Sequence, residues 1–172
     1  MTGDLPSLGT AVGRFTEAFE LTHDTVIPYL VGRGVLAGDV HTSVVALEGG
    51  VSAAVFAVRG PGVAVVAKQA LERLNVADDW RANQERTEVE AAAMRLCGRL
   101  TPGRVPRLID NDSASHIVVM ELLPDEARNW QTEVEVGRPH VGAGAWAGET
   151  LGAWHAQTSG DGVMAAEFDD FE

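Results

Sequence analysis

Short valine-rich runs with a period of two predict that much of this chain forms β-strands. This period is expected of strands that bury one face, and β-branched residues favour the same structure. Glycine-containing turns separate the first three runs, as in hairpins with tight connections. The simplest interpretation is an antiparallel sheet of five strands, at residues 43–47, 53–58, 62–67, 105–109 and 117–122.

The period changes to 3.6 between the third and fourth strands, which predicts a helix from Ala77 onward. Its apolar side carries Val89, Ala92, Ala93, Leu96 and Leu100. In projection, Glu90 falls within this apolar arc, whereas Glu88 falls on the opposite side. We therefore expect Glu90 to point inward and Glu88 to be solvated.

Helical patterns also occur near both ends of the chain. Thr22 or Asp24 can cap a helix through residues 26–31, and a shorter helix is expected near residues 12–19. After a linker at Pro124, a second helical region shows one stripe formed by Ala143, Ala147, Leu151 and Trp154. The pattern indicates an α+β fold in three parts: an N-terminal helical segment (1–40), a sheet with a packed helix (41–123), and a linker with further helices (124–172).

Composition and charge restrict the classes of partner. The 172 residues carry a formal net charge of -12, which disfavours binding to nucleic acid. A single cysteine, Cys97, excludes an internal disulfide and a cysteine-based zinc site. No apolar run approaches the roughly 20 residues that span a bilayer, and the N-terminus lacks the pattern of a signal peptide. We expect a cytoplasmic protein without a membrane or nucleic-acid partner.

Lys68 ends an otherwise apolar strand, where its ammonium group needs an anionic partner. The order of elements around it suits ATP. A glycine turn at Gly49, Gly50 and Ser52 would let backbone amides approach phosphates, Lys68 would neutralise them, and Glu90 would hold the lysine in place.

The end of the fifth strand offers a site for the base. Glu121 to Leu123 present a backbone carbonyl and amide with which adenine could pair, and Met120 would line the back of that pocket.

The same residues also have ordinary structural interpretations. Lys68 could be a surface charge at a strand end, Glu90 a solvated residue at a helix edge, and Gly49-Gly50 a plain hairpin turn. Trp130, Trp146 and Trp154 are expected to be packing residues rather than a ligand cage.

In these stretches the chain resembles the amino-terminal lobe of aminoglycoside-phosphotransferase-type kinases, from about Thr25 to its end. The stretches are Val-Val-Ala-Lys68-Gln-Ala-Leu, Glu90-Ala-Ala-Ala-Met-Arg-Leu, Val105-Pro106 and Val-Val-Met120-Glu. The Lys-Gln-Ala-Leu run and Asn129-Trp130 are most similar to the methylthioribose-kinase branch.

The resemblance implies a protein-kinase-like lobe that binds ATP with Mg²⁺. It implies that Lys68 contacts the phosphates and pairs with Glu90, that Gly49 to Ser52 cover the phosphates, and that Glu121 to Leu123 form the hinge. The implied activity is transfer of the ATP γ-phosphate to a hydroxyl of a sugar or an aminoglycoside-like acceptor.

The chain departs from that family in its catalytic apparatus. None of its five histidines is followed two residues later by the aspartate of a His-x-Asp loop, and the metal-binding acids are also missing. No catalytic residue or metal ligand is therefore assigned.

We expect only the start of the carboxy-terminal lobe, so this chain alone would be inactive and would act on an acceptor only with a full second lobe. The alternative is a kinase-like module that binds nucleotide or protein without chemistry. The tryptophans after the hinge would also allow self-association.

Overall fold

The period-two runs form one sheet of five strands. A computed structural model describes residues 19–38, 41–47, 50–75 and 80–168. The strands are β1 (Ser43–Ala46), β2 (Ala53–Gly60), β3 (Val63–Ala70), β4 (Leu108–Asp112) and β5 (Ile117–Glu121). The helices are α1 (Val26–Gly32), α2 (Arg86–Leu100), α3 (Trp130–Glu135), α4 (Val141–Thr158) and α5 (Gly162–Ala166).

Every pair of neighbouring strands is antiparallel, and the order across the sheet is β1-β2-β3-β5-β4. The α+β class and the five-stranded antiparallel sheet are confirmed. Because α2 connects β3 to β4, the chain passes over the sheet and β5 returns beside β3. This order places β3 in the middle of the sheet, where both of its faces can be covered.

One face of the sheet packs against α1 and forms the main core. Leu21, Val26, Tyr29 and Leu30 cover the inward side chains of three strands, which include Val58, Val65, Ala67, Ile117 and Val119. The helix predicted at residues 26–31 is confirmed, with Thr25 at its N-cap position rather than Thr22 or Asp24. The helix expected near residues 12–19 lies almost entirely outside the described residues.

The other face of the sheet packs against α2. This helix begins at Arg86, later than the sequence pattern indicated, and Ala77 lies outside the described residues. Its buried residues are Thr87, Ala91 and Leu96, whereas Val89 is 36% exposed. The predicted apolar side of the helix is therefore wrong: the observed buried side is rotated about the helix axis by about one residue from it. Small side chains at 87 and 91 let the helix approach the sheet closely, which the apolar pattern alone does not reveal.

The turn after α2 holds α4 in place. The Trp154 indole donates to Thr101 Oγ1 at 2.7 Å, and Arg104 donates to Thr150 Oγ1 at 3.1 Å. Arg104 also lies over the ring of Trp146, 5.0 Å from its centroid.

The inward stripe of α4 differs from the predicted one by a single residue. It contains Ala143, Ala147, Thr150 and Trp154, and Leu151 is 48% exposed. Trp154 thus has a packing role, as predicted, whereas Trp146 is 47% exposed and contacts Arg104 through its ring. Within the described residues, no helix has both the length and the hydropathy needed to cross a membrane.

Candidate functional site

Lys68 and Glu90 form an ion pair on the face of the sheet that carries α2. Lys68 Nζ lies 2.7 Å from both carboxylate oxygens of Glu90. The pair joins the central strand to the helix across 22 positions of sequence. The two side chains are 32% and 35% exposed, so the pair lies at the edge of the helix–sheet contact and is open to solvent.

The strand register surrounds Lys68 with apolar neighbours. Val55 of β2 and Val118 of β5 stand directly opposite Lys68, and side chains of directly paired residues share a face of the sheet. Val66 lies two residues before Lys68 and so has its side chain on the same face of the sheet. Val66 pairs with Ala57 on one side and with Met120 on the other. Met120 therefore lies on the same side of the sheet as Lys68, one strand away.

The described part of the glycine turn, Gly50 to Ser52, lies at the carboxyl end of β3, two to three residues beyond Lys68. Ser52 accepts a backbone hydrogen bond from Leu71 at 2.9 Å, and the next residue, Ala53, pairs with Ala70. At Gly50 an added Cβ would meet nothing nearer than 4.0 Å, so the chain itself does not require glycine there. Gly49 lies outside the described residues.

The predicted hinge residues follow β5 at the opposite end of β3. Glu121 pairs with Val65 and donates its N–H to the Arg107 carbonyl at 2.9 Å. Leu122 donates to Ala64 at 3.0 Å, which fixes the start of the linker to β3. In the described part of the chain, the Leu123 N–H makes no hydrogen bond to another backbone group, and Leu123 is 49% exposed.

Arg86 is a cation of this region that the sequence interpretation missed. Its guanidinium donates to the carbonyls of Ser52 at 2.6 Å, Leu71 at 3.0 Å and Asn83 at 2.5 Å. Arg86 stands four residues before Glu90, a spacing that places both on one side of a helix. The spacing of four residues between Arg86 and Glu90 was therefore the sequence signal that could have identified Arg86.

Glu88 also points inward, contrary to the sequence prediction. Its Oε2 accepts from Asn111 Nδ2 on β4 at 2.8 Å. Among the described residues, its other oxygen is buried without a hydrogen-bond partner, as are Asn111 Oδ1 and His116 Nδ1. The rotation of α2 that buries Thr87 and Ala91 also turns Glu88 towards β4.

The opposite face of the sheet carries an acidic and phenolic cluster, away from the cleft that Lys68 of β3 and Glu90 of α2 line. The Tyr29 hydroxyl donates to Asp112 at 3.2 Å, and Arg33 pairs with Asp110. Burial, and secondarily the negative charge of Asp112, raises the pKa of Tyr29 well above its ordinary value.

Cys97 is partly buried on α2. Burial raises the pKa of its thiol, as the absence of an activating neighbour in the sequence suggested. Cys97 is thus a packing residue with a weakly reactive thiol.

Three cavities formed by described residues have linings that do not include Lys68. Their volumes are about 380, 380 and 470 Å³, and their linings include Arg33, Trp130 and Pro102, respectively. Lys68 itself is one-third exposed. The ammonium group of Lys68 can therefore be reached from solvent.

The carboxylates beside Lys68 do not fit a protein-bound Mg²⁺. Both oxygens of Glu90 accept from Lys68, which leaves this carboxylate committed to the ammonium group. Among the residues that the structure describes, no group of three or more His, Cys, Asp or Glu side chains is placed to hold a metal ion.

Neither a scan of known protein families nor a search of curated proteins finds a significant match to this chain. The assignment of a function therefore depends on the chemistry of the cleft.

Proposed function

We propose that this chain binds ATP on the α2 face of its sheet, as the nucleotide-binding lobe of a small-molecule phosphotransferase. The observation that carries the proposal is the ion pair of Lys68 with both oxygens of Glu90 at 2.7 Å. Lys68 is the only lysine among the 172 residues, and it stands in the middle of the sheet instead of on a loop. An ammonium group fixed in this way can contact phosphates without losing rotamer entropy on binding.

The spacing along β3 suits a nucleotide. Glu121 pairs with Val65, three residues before Lys68, which corresponds to about 10 Å at a rise of about 3.3 Å per residue. A base at the linker would use the Leu123 N–H, and its phosphates would reach Lys68. Met120 would contact the base from the sheet, and the chain leaves space at Gly50 for phosphates to approach the backbone.

Phosphoryl transfer in the kinases that the chain resembles uses a His-x-Asp loop to orient the acceptor hydroxyl. No histidine here has an aspartate two positions later, so no His-x-Asp loop is present to orient a hydroxyl. This observation favours a second candidate function, a module that binds nucleotide without transferring phosphate. The two candidates share the Lys68 site and differ only in the chemistry that follows binding.

The single lysine allows a direct test of binding. Adenosine with a 5′ sulfonyl fluoride benzoyl group reacts with amines that lie beside bound phosphates: the amine attacks sulfur, fluoride leaves, and a proton is released to solvent. We expect one adduct per chain, assigned to Lys68 by peptide mass spectrometry, and its formation should be suppressed by ATP. The Lys68→Arg variant should lose that adduct while any label at the α-amino group stays.

A thermal shift gives an independent measurement. A ligand that binds only the folded state raises Tm, and at a hundred times Kd the stabilisation is about 2.7 kcal/mol. Lys68→Met should abolish the shift by ATP, whereas Arg81→Met should keep it, because Arg81 is an exposed arginine paired with Glu72. Absence of both the ATP-protected adduct and the ATP-dependent shift would exclude the nucleotide site.

Turnover separates the two candidates once binding is established. ADP release should be measured from ATP alone and with a panel of sugars and aminoglycosides. Acceptor-dependent release that Lys68→Met abolishes would support the phosphotransferase. Because these residues contain no His-x-Asp loop, binding without release supports the module only if it persists in the full polypeptide that the gene encodes.

A further inference from the structure

The Lys68–Glu90 pair alone gives the proposed phosphate site no net charge. One ammonium and one carboxylate cancel, yet a triphosphate carries several negative charges. The chain as a whole has a net charge of -12, so its surroundings also oppose an anion. A further uncompensated cation near Ser52 would therefore favour a polyphosphate.

Arg86 is placed to be that cation. It begins α2 one turn before Glu90, a separation of about 6 Å along the helix axis. Its Nη2 donates to the carbonyl of Ser52 at 2.6 Å, so the guanidinium lies directly at the glycine turn. No other arginine donates to a backbone group of that turn within the described residues.

The bonds of Arg86 leave its charge uncompensated. All three acceptors are neutral carbonyl groups, and among the described residues no carboxylate forms an ion pair with Arg86. The neighbouring Glu85 is exposed, and its carboxylate accepts from Asn83 instead. A guanidinium has five N–H donors, so three bonds leave two donors for a ligand.

We propose that Arg86 is a second anion-binding residue of this cleft and confers its preference for a polyphosphate. The proposal rests on the proposed nucleotide site and names the group that provides its positive charge. Lys68 would fix the position of the phosphates, and Arg86 would supply the net attraction. Its carbonyl bonds hold the guanidinium at Ser52 before any ligand arrives.

Calorimetric titration of the full chain with ATP, adenosine and sodium tripolyphosphate tests this assignment. Arg86→Met should weaken binding of ATP and of tripolyphosphate by about tenfold or more, since charge-assisted hydrogen bonds to the phosphates are lost. Adenosine should bind the variant and the wild type within about twofold, because it has no phosphate. Arg81→Met removes an exposed positive charge and should leave all three affinities within about twofold.

A purely structural role for Arg86 predicts different results. If Arg86→Met leaves ATP and tripolyphosphate unchanged, or weakens adenosine as much as ATP, the assignment is wrong. Arg86→Lys keeps the charge and loses the forked bonds to Ser52 and Leu71, so it should retain tripolyphosphate affinity within about threefold. A tenfold loss in the lysine variant would overturn the assignment, so the assignment stays falsifiable even if the methionine variant fails to fold.

The titrations also distinguish this inference from the proposed function. Tripolyphosphate binding without ATP binding would exclude the nucleotide function, and the Arg86 variants would then be compared with tripolyphosphate alone. ATP binding that is insensitive to Arg86→Met would exclude only the Arg86 assignment. A wild-type chain that binds neither ligand would overturn both.

Discussion

Gln69 is the residue whose replacement should reveal most about how this fold is held together. It follows Lys68 on β3 and points into the opposite face of the sheet, where it is 5% exposed. Its Oε1 accepts from the Leu21 N–H at 2.7 Å. Its Nε2 donates to the carbonyls of Phe19 at 2.6 Å and Ser115 at 3.0 Å. One amide thus joins the central strand to the segment before α1 and to the β4–β5 turn.

The substitution Gln69→Met keeps the length of the side chain and removes these three hydrogen bonds. A net contribution of about 1 kcal/mol per bond gives about 3 kcal/mol. The Leu21 N–H is buried and would lose its partner, which raises the cost, whereas the two partly buried carbonyls can gain water, which lowers it. We expect the free energy of unfolding to fall by about 2–4 kcal/mol, a large part of the 5–15 kcal/mol typical of a domain.

Urea denaturation followed by circular dichroism measures this change. Gln157→Ala is the matched control, because Gln157 is exposed and donates only to the Ala153 carbonyl of its own helix. The control should shift the free energy of unfolding by less than about 0.5 kcal/mol. A Gln69→Met variant within 1 kcal/mol of the wild type, at an unchanged m-value, would refute the account of this amide as a structural link.

Three further predictions concern single groups. Tyr29 is the only tyrosine, so the absorbance of tyrosinate should titrate at a higher pH in the native chain than in urea. Because folding raises the pKa of Tyr29, the free energy of unfolding should fall as the pH rises above about 10. This fall should be less steep in the Tyr29→Phe variant. Asn111→Asp places a second carboxylate against Glu88 and should lower the free energy of unfolding, measured in urea, by about 1–3 kcal/mol. Adding Glu88→Gln should recover most of this loss, because the glutamine amide can then donate to the new aspartate. Cys97 should react with a disulfide reagent more slowly in the native than in the unfolded chain, and equal rates would contradict its burial.

The strands were predictable because their signal is local. All five predicted strands are present, and their bounds differ from the observed ones by at most three residues. Each strand carries its own period of two, and each turn its own glycine or polar residues. The contact between Lys68 and Glu90 was also accessible, because it needed only an inward residue on α2 and a lysine on the adjacent strand.

The features that sequence inspection missed depend on how separate elements are placed against each other. Gln69 bonds to residues 48, 50 and 46 positions away, and no periodicity indicates such partners. The inward position of Glu88 depends on the rotation of α2 about its axis. Small side chains at Thr87 and Ala91 set that rotation, and an apolar count gives them little weight.

The adjacency of Lys68 and Gln69 has a consequence for the kinds of sequence change that β3 can accept. Successive residues of a strand face opposite sides, so a one-residue deletion in the β2–β3 hairpin would exchange their positions. It would move the ammonium group into the core against Leu21 and leave an amide in the cleft. Point substitutions at the exposed Ala64 should therefore be tolerated far better than a deletion there. In any set of functional variants of this chain, length changes should be excluded from the β2–β3 hairpin and concentrated in other connections.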